Sequence, residues 1–243
     1  LKKFKDDRIK YYLSNEHTSQ YEARRRAVLE AKGEFIAFLD VDDWWKEDKI
    51  EKQLKLFLDK DVGLATCNYW IVNERKKTKK LAFKNIPTGH VTEKLLKRNF
   101  VGMSTLIMKK DSYFSLEYGF DSRYEIIGDY DLILRLSKDN KLASLDEPYS
   151  YYRWHGKNLG FLKFELNISE LSFWIKDKIE FSSYKNFDYL KNYILFYKGL
   201  IQIMNKKRIS AMSQIYLMTS FYFRIKLSIV LCLPLWLIKK IRS

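Results

Sequence analysis

The feature that most constrains this chain is an apolar run that ends in a cluster of acids. Phe35-Ile36-Ala37-Phe38-Leu39 is unbroken, and Asp40, Asp42 and Asp43 follow within four residues. Such a run suits a strand covered on both faces, as in a parallel sheet. Gly33 ahead of it suits the stop of a preceding helix. In open α/β sheets ligands bind beyond the carboxyl ends of the strands. Carboxylates crowded there repel one another unless a cation or a donor-rich ligand sits among them. Hard oxygen donors of this kind suit Mg²⁺ or Mn²⁺ carrying a phosphate. The simpler explanation is that Asp42 or Asp43 caps a helix with a stripe at Ile50, Leu54 and Phe57. Capping accounts for one aspartate, not for three.

The chain has 243 residues, with 47% hydrophobic and 16% aromatic content, enough for one good core and against disorder. Nine glycines and three prolines leave little room for flexible linkers. Cys67 and Cys232 fit no metal or disulfide pattern and read as buried thiols of a reducing compartment. The net charge of +15 is uneven: after Asp188 there are ten Lys or Arg and no acid. That tail is expected to face something anionic.

In chain order, Leu1–Lys10 suggests the end of a charged helix and Arg8–Leu13 a short strand. Ser19-Gln20-Tyr21-Glu22 is a capping box, so a helix is expected from Ser19, with Ala23, Ala27 and Ala31 lying close on a sheet. Arg25 and Arg26 are expected on a solvated face. Further expectations are a strand over Val62–Val72, a charged hairpin or loop over Glu74–Lys80, and a short helix over Thr92–Arg98. A strand over Thr105–Met108 and a turn at Gly119-Phe120-Asp121 follow. Gly128-Asp129-Tyr130-Asp131 opens a helix whose acids are favoured by its dipole, and Tyr149–Trp154 is an aromatic strand. Beyond Gly160, Leu190, Ile194, Tyr197, Ile201 and Met204 mark an amphipathic helix. The final apolar run, Leu227–Ile238, is shorter than the ~20 residues of a spanning helix. Flanked by Arg224, Lys226, Lys239, Lys240 and Arg242, it fits an interfacial helix on anionic lipid, with a buried helix as the alternative.

Ala23-Arg24, Ala31-Lys32-Gly33-Glu34, Phe38-Leu39-Asp40-Val41-Asp42-Asp43, Asp48-Lys49 and Gln53 together resemble bacterial family 2 glycosyltransferases. Gly119-Phe120-Asp121, Asp129 with Leu132 and Arg135, and Tyr152-Arg153-Trp154-His155 resemble later motifs of that family in the same order. The resemblance implies a GT-A fold over residues 1–160, an α/β mixed sheet flanked by helices, with a helical extension over 161–243. It implies a nucleotide-diphosphate-sugar donor, a glycan or lipid-linked acceptor, and inverting transfer. Asp40 would contact the nucleotide, Asp42 would ligate Mg²⁺ or Mn²⁺, and Asp43 would support that shell. Asp129 would be the general base, and Arg24, Arg153 and His155 would lie near the diphosphate or close the site. The expected location is cytoplasmic, on the inner face of the cell membrane, with no nucleic-acid partner.

Three features depart from the family: Arg25 stands where Asn is usual, Gly128 stands where Glu precedes the base, and Leu1 falls where the family's first β-α-β unit is expected to have ended. The expectation is therefore a GT-A domain that is N-terminally incomplete. Two other readings are weighed. A non-catalytic remnant would keep only membrane or partner binding. A haloacid-dehalogenase-type phosphatase also places Asp-x-Asp after an apolar strand, but its motif continues with Gly and Thr or Val, whereas Asp43-Trp44 follows here.

Overall fold

The computed structural model describes residues 6–242, without the side chains of Phe161 and of residues 239–242. Residues 1–5 of the expected charged helix, and the basic side chains of Lys239, Lys240 and Arg242, lie outside the described residues. Asp6–Leu13 is turn and coil rather than a helix end followed by a strand.

Six strands form one mixed sheet: β1 (Phe35–Ala37), β2 (Trp44–Trp45), β3 (Val62–Asn73), β4 (Thr78–Leu81), β5 (Ile107–Lys109) and β6 (Lys141–Trp154). Their order is β1-β5-β3-β6-β2, with β4 hairpinned onto β3. Among the described residues only β3 and β6 run parallel; the other pairs are antiparallel. Helices α1 (Gln20–Glu30), α2 (Lys49–Leu54), α3 (Thr92–Lys97), α4 (Lys110–Phe114) and α5 (Gly128–Asp139) accompany the sheet. Six more follow: α6 (Leu159–Leu162), α7 (Phe164–Asp177), α8 (Phe187–Met204), α9 (Arg208–Leu217), α10 (Phe221–Cys232) and α11 (Leu235–Arg242). A mixed sheet flanked by helices, continued by a C-terminal helical region, is the expected α/β architecture.

The strand covered on both faces is β3, whose first seven residues are all buried, and not the one before the aspartates. β1 is three residues long, antiparallel to β5, and buries only Ile36; Leu39 beyond it is 47% exposed. An apolar run alone does not distinguish a central strand from a short edge strand entering a turn.

Ser19 caps α1 as expected, its Oγ accepting the Glu22 N–H at 3.2 Å. The buried face is Tyr21 and Val28, not the alanines: Ala23 and Ala27 are exposed. On α2 the buried residues are Lys49 and Gln53, and Ile50 faces outward. Lys49 Nζ lies 4.2 Å from the Trp45 ring centroid, and burial pulls its pKa down to about 8. Cys67 is buried, with its thiol pushed up to about 11 by desolvation, whereas Cys232 is exposed.

The main core runs from α1 and the sheet through α5 into α7 and the first half of α8, with Ile168, Trp174, Phe187 and Ile194 among its members. A second cluster joins α8 to the later helices through Phe196, Ile203, Ala211, Phe223 and Leu227. Gly199 lets α10 approach α8, since a Cβ there would stand 2.5 Å from Leu227 Cδ2. The run Leu227–Ile238 is not one helix. α10 ends at Cys232, and Leu233, extended ahead of Pro234, separates it from α11. Leu227 and Ile238 are buried. Among the described residues no helix is long and apolar enough to cross a membrane.

Candidate active site

The three aspartates sit in a tight turn between β1 and β2, closed by the Asp43 N–H donating to the Asp40 carbonyl at 3.1 Å. Each points to a different partner. Asp40 is paired with the Arg24 guanidinium on α1. Asp42 Oδ2 faces His155 Nε2 at 3.0 Å. Asp43 turns inward, accepting from Ser104 Oγ at 2.6 Å and from the Arg153 N–H at 3.1 Å. Desolvation there pushes its carboxyl above the usual range. Neither Asp42 nor Asp43 caps α2, whose N-cap is Asp48, so the capping explanation fails.

His155 is held by a short loop after β6. Its backbone N–H donates to Asn158 Oδ1 (3.2 Å), Asn158 Nδ2 donates back to the Arg153 carbonyl (2.9 Å), and Gly156 turns the chain at φ +75°. The His155 Nδ1 accepts the Lys157 N–H at 3.2 Å, which assigns the ring proton to Nε2, toward Asp42. Arg153 works from outside the turn. Its Nε donates to the Asp42 carbonyl at 2.8 Å, and its guanidinium pairs with Glu74 and lies 5.1 Å from the Trp44 ring centroid. It clamps the aspartate turn and is not among the residues lining the cavity.

Asp129 stands on the opposite wall, in the first turn of α5. Its Oδ1 accepts the Tyr130 N–H at 2.7 Å and lies 3.4 Å from the Tyr21 hydroxyl, which donates to the Ile126 carbonyl at 2.6 Å. The Tyr21 ring also explains Gly128, because a Cβ there would stand 2.6 Å from Tyr21 Cδ2. A glutamate at that position would displace the tyrosine. Burial raises the Asp129 carboxyl above the usual aspartate range and outweighs the opposing Tyr130 N–H and Arg24 charge. A carboxylate with a raised pKa is a stronger base once ionised.

One cavity of about 910 Å³ joins the two walls, lined by Arg24, Asp40, Asp42, His155 and Asp129. A smaller one of about 170 Å³ lies behind it, between Asp43, Ser104, Tyr69 and Tyr152, and also touches Asp40 and Asp129. The chain thus gathers every expected site residue except Arg153 around these two cavities. Arg25 and Arg26 instead bind Glu22 on the surface of α1, both at 2.8 Å.

Among the described residues no three His, Cys, Asp or Glu side chains form a group that holds a metal by themselves. The donor set still fits Mg²⁺ or Mn²⁺. Such ions commonly take one or two carboxylates and complete their shell with substrate phosphates and water. Asp42 presents a carboxylate to the cavity, with His155 beside it.

Four residues of this site carried no motif in the sequence. Ser104 takes the Asp40 N–H on its Oγ (3.3 Å) and gives its carbonyl to Trp45 Nε1 (2.6 Å). Asn158 holds the His155 backbone, and Tyr21 stands against Asp129. Glu170 of α7 is buried and accepts the N–H groups of Glu125, Ile126 and Ile127 at 2.7, 2.9 and 3.1 Å. It thereby fixes the approach to Asp129 from the helical region. A glutamate on an otherwise apolar helix face was the one available signal.

A cluster of carboxylates in the turn after β1, with the half-buried carboxylate of Asp129 on the other wall of the same cavity, defines an α/β domain able to hold a polar ligand between them. The profile described as Glycosyl transferase family 2 matches residues 1–113. The chain is 30% identical over 165 residues to WfgD of Escherichia coli, named UDP-Glc:alpha-D-GlcNAc-diphosphoundecaprenol beta-1,3-glucosyltransferase, covering 67% of this chain and 62% of WfgD. It is 29% identical over 106 residues to TuaG of Bacillus subtilis, a putative teichuronic acid biosynthesis glycosyltransferase, covering 44% and 42%. The crystal structure of S. aureus TarS aligns with a TM-score of 0.48 at 13% identity, over 72% of this chain and 30% of TarS. Over these residues the chain is similar to glycosyltransferase family 2. It spans less than two thirds of the length of either curated relative.

Proposed function

We propose that this protein transfers a sugar from a nucleotide-diphosphate sugar to an acceptor hydroxyl, with inversion, during assembly of a cell-surface polysaccharide or glycolipid. The observation that carries this reading is Asp129 facing Asp40, Asp42 and His155 across one cavity. Asp129 accepts the proton of the acceptor hydroxyl as the acceptor oxygen bonds to the anomeric carbon. The bond from that carbon to the diphosphate breaks, and its electron pair leaves with the diphosphate. Arg24 holds Asp40, and His155 and Asp42 contact the donor's diphosphate end. A divalent ion at Asp42, when bound, supplies charge neutralisation of the leaving diphosphate. Tyr21 and Glu170 keep Asp129 and the segment before it in place.

The reading is tested by incubating the chain with nucleotide-diphosphate sugars, Mn²⁺ and a glycan acceptor, and following the anomeric proton by NMR. An α-linked donor gives a β-linked product. An α-linked product contradicts a single displacement, and release of inorganic phosphate without transfer favours a phosphatase.

The acceptor is proposed to be lipid-linked, as the name of WfgD states for that protein, and the enzyme to lie on the inner face of the cell membrane. The attachment surface is α9 and α10 rather than the expected Leu227–Ile238 helix. Ile209, Met212 and Tyr216 on α9 and Tyr222, Ile225 and Ile229 on α10 are exposed at helical spacing. No acid follows Asp188. Each basic residue near an anionic surface adds about 1 kcal/mol, so attachment weakens with salt. Co-sedimentation with anionic vesicles should fall at high salt and in an Ile225→Ser/Ile229→Ser variant. Undiminished sedimentation of that variant, or indifference to anionic lipid, removes the surface.

A further inference from the structure

α2 buries two polar side chains, and neither is fully satisfied. Lys49 Nζ and Gln53 Oε1 are buried without a hydrogen-bond partner among the described residues. An apolar residue would fill either place without the cost of desolvating an amine or an amide. What each does touch leads to one place, the 3₁₀ turn Met103–Thr105 behind the aspartates. Gln53 Nε2 donates to the Thr105 carbonyl at 3.0 Å. Lys49 Nζ lies over the Trp45 ring, whose Nε1 donates to the Ser104 carbonyl at 2.6 Å. Two successive carbonyls of that turn are thus held from α2, one directly and one through Trp45. The group left to face the aspartates is the Ser104 hydroxyl. Its Oγ donates to Asp43 Oδ2 at 2.6 Å and accepts the Asp40 N–H at 3.3 Å. One hydroxyl thereby ties both ends of the aspartate turn, and Asp42 lies between them.

We propose that Gln53 is a positioning residue for the aspartate turn. Its amide fixes the Thr105 carbonyl, which sets where Ser104 Oγ meets Asp40 and Asp43. That in turn sets where Asp42 presents its carboxylate to the cavity. The proposal rests on the reading of Asp42 as the carboxylate that takes a divalent ion with a diphosphate. Placement matters there, because an ion such as Mg²⁺ demands near-ideal octahedral geometry. β3 steadies the same residue through Thr66 Oγ1, 2.8 Å from Thr105 Oγ1, so losing the Gln53 amide shifts Ser104 without freeing the turn. The fold does not need the amide, since half of its hydrogen-bonding capacity is buried unused.

The test is calorimetric titration of the full chain with uridine diphosphate, with and without Mn²⁺. The proteins compared are the parent, Gln53→Met, Ser104→Ala and the double variant. Methionine has nearly the length of glutamine and donates nothing. Gln53→Met should lower the affinity in Mn²⁺ about fivefold, the worth of one hydrogen bond, and leave the metal-free affinity unchanged. Its melting temperature should stay within about 4 °C of the parent, because an unpaired amide oxygen is removed together with the bond to Thr105. Ser104→Ala should lose at least as much affinity in Mn²⁺. The double variant should match Ser104→Ala within about twofold, since Gln53 acts through that hydroxyl. Losses that multiply in the double variant overturn the proposal. So does an equal loss with and without Mn²⁺, or a melting temperature more than about 4 °C lower, either of which makes Gln53 a packing residue. Mn²⁺-dependent binding in the parent that survives intact in Gln53→Met removes the proposal alone. A parent indifferent to Mn²⁺ removes the reading of Asp42, and the proposal with it.

Discussion

Asp129→Asn loses sugar transfer by about 10²–10⁴-fold, the usual range for removing a general base, and keeps its fold. The amide oxygen still accepts the Tyr130 N–H that Asp129 Oδ1 takes at 2.7 Å. Burial raises the carboxyl's pKa in the folded state, so ionisation opposes folding above that pKa and has no effect below the unfolded value. Replacing it with a neutral amide removes that penalty, and the melting temperature at neutral pH should be equal or slightly higher. The same shift sets the pH profile. Transfer by the parent falls as pH drops through the raised pKa, so its acid limb lies above the ~3.9 of an ordinary aspartate. Near-normal turnover by Asp129→Asn, or an acid limb at the ordinary value, removes Asp129 as the base.

Asp131→Ala, two residues along the same helix, has the opposite signature. Asp131 is fully buried, with Oδ2 accepting from Arg135 Nη2 at 2.6 Å and Nε at 2.9 Å, and Oδ1 from Trp174 Nε1 at 2.9 Å. Arg135 in turn donates to the carbonyls of Tyr118 and Gly119, both at 2.7 Å. Removing one partner of a buried pair leaves an uncompensated charge, which costs about 3–5 kcal/mol. At 2–4 °C per kcal/mol for a chain of this size, the melting temperature should fall by roughly 10 °C. Transfer per folded molecule should stay within a few fold. A melting temperature within about 2 °C of the parent contradicts this structural assignment.

That contrast marks what the sequence could and could not show. Asp129 and Asp131 look alike in sequence, both acids in a first turn, and only the positions of Tyr21, Arg135 and Trp174 tell the proposed base from the brace. The aspartate turn, His155 and the order of the motifs were legible because those residue types have few other reasons to cluster. A stripe counted on apolar residues picks Ile50, Leu54 and Phe57, whereas the buried residues of α2 are the polar Lys49 and Gln53. Ser104, Asn158 and Glu170 act through backbone groups, which leave no spacing signal. Gly128 departed from the family for a reason 107 residues away, the ring of Tyr21. In the tail, composition located the basic apolar region, but Pro234 and the approach at Gly199 decided which face is buried.

The assignment of the aspartate turn to a cation and a diphosphate is tested most directly by titrating a nucleoside diphosphate into the parent and Asp42→Ala, with and without Mn²⁺. The parent should bind the diphosphate at least about tenfold tighter with Mn²⁺ than without, one such factor being 1.4 kcal/mol. Asp42→Ala should bind weakly and be indifferent to Mn²⁺. Equal, Mn²⁺-dependent binding by the two proteins would contradict the assignment and move the donor site away from Asp42.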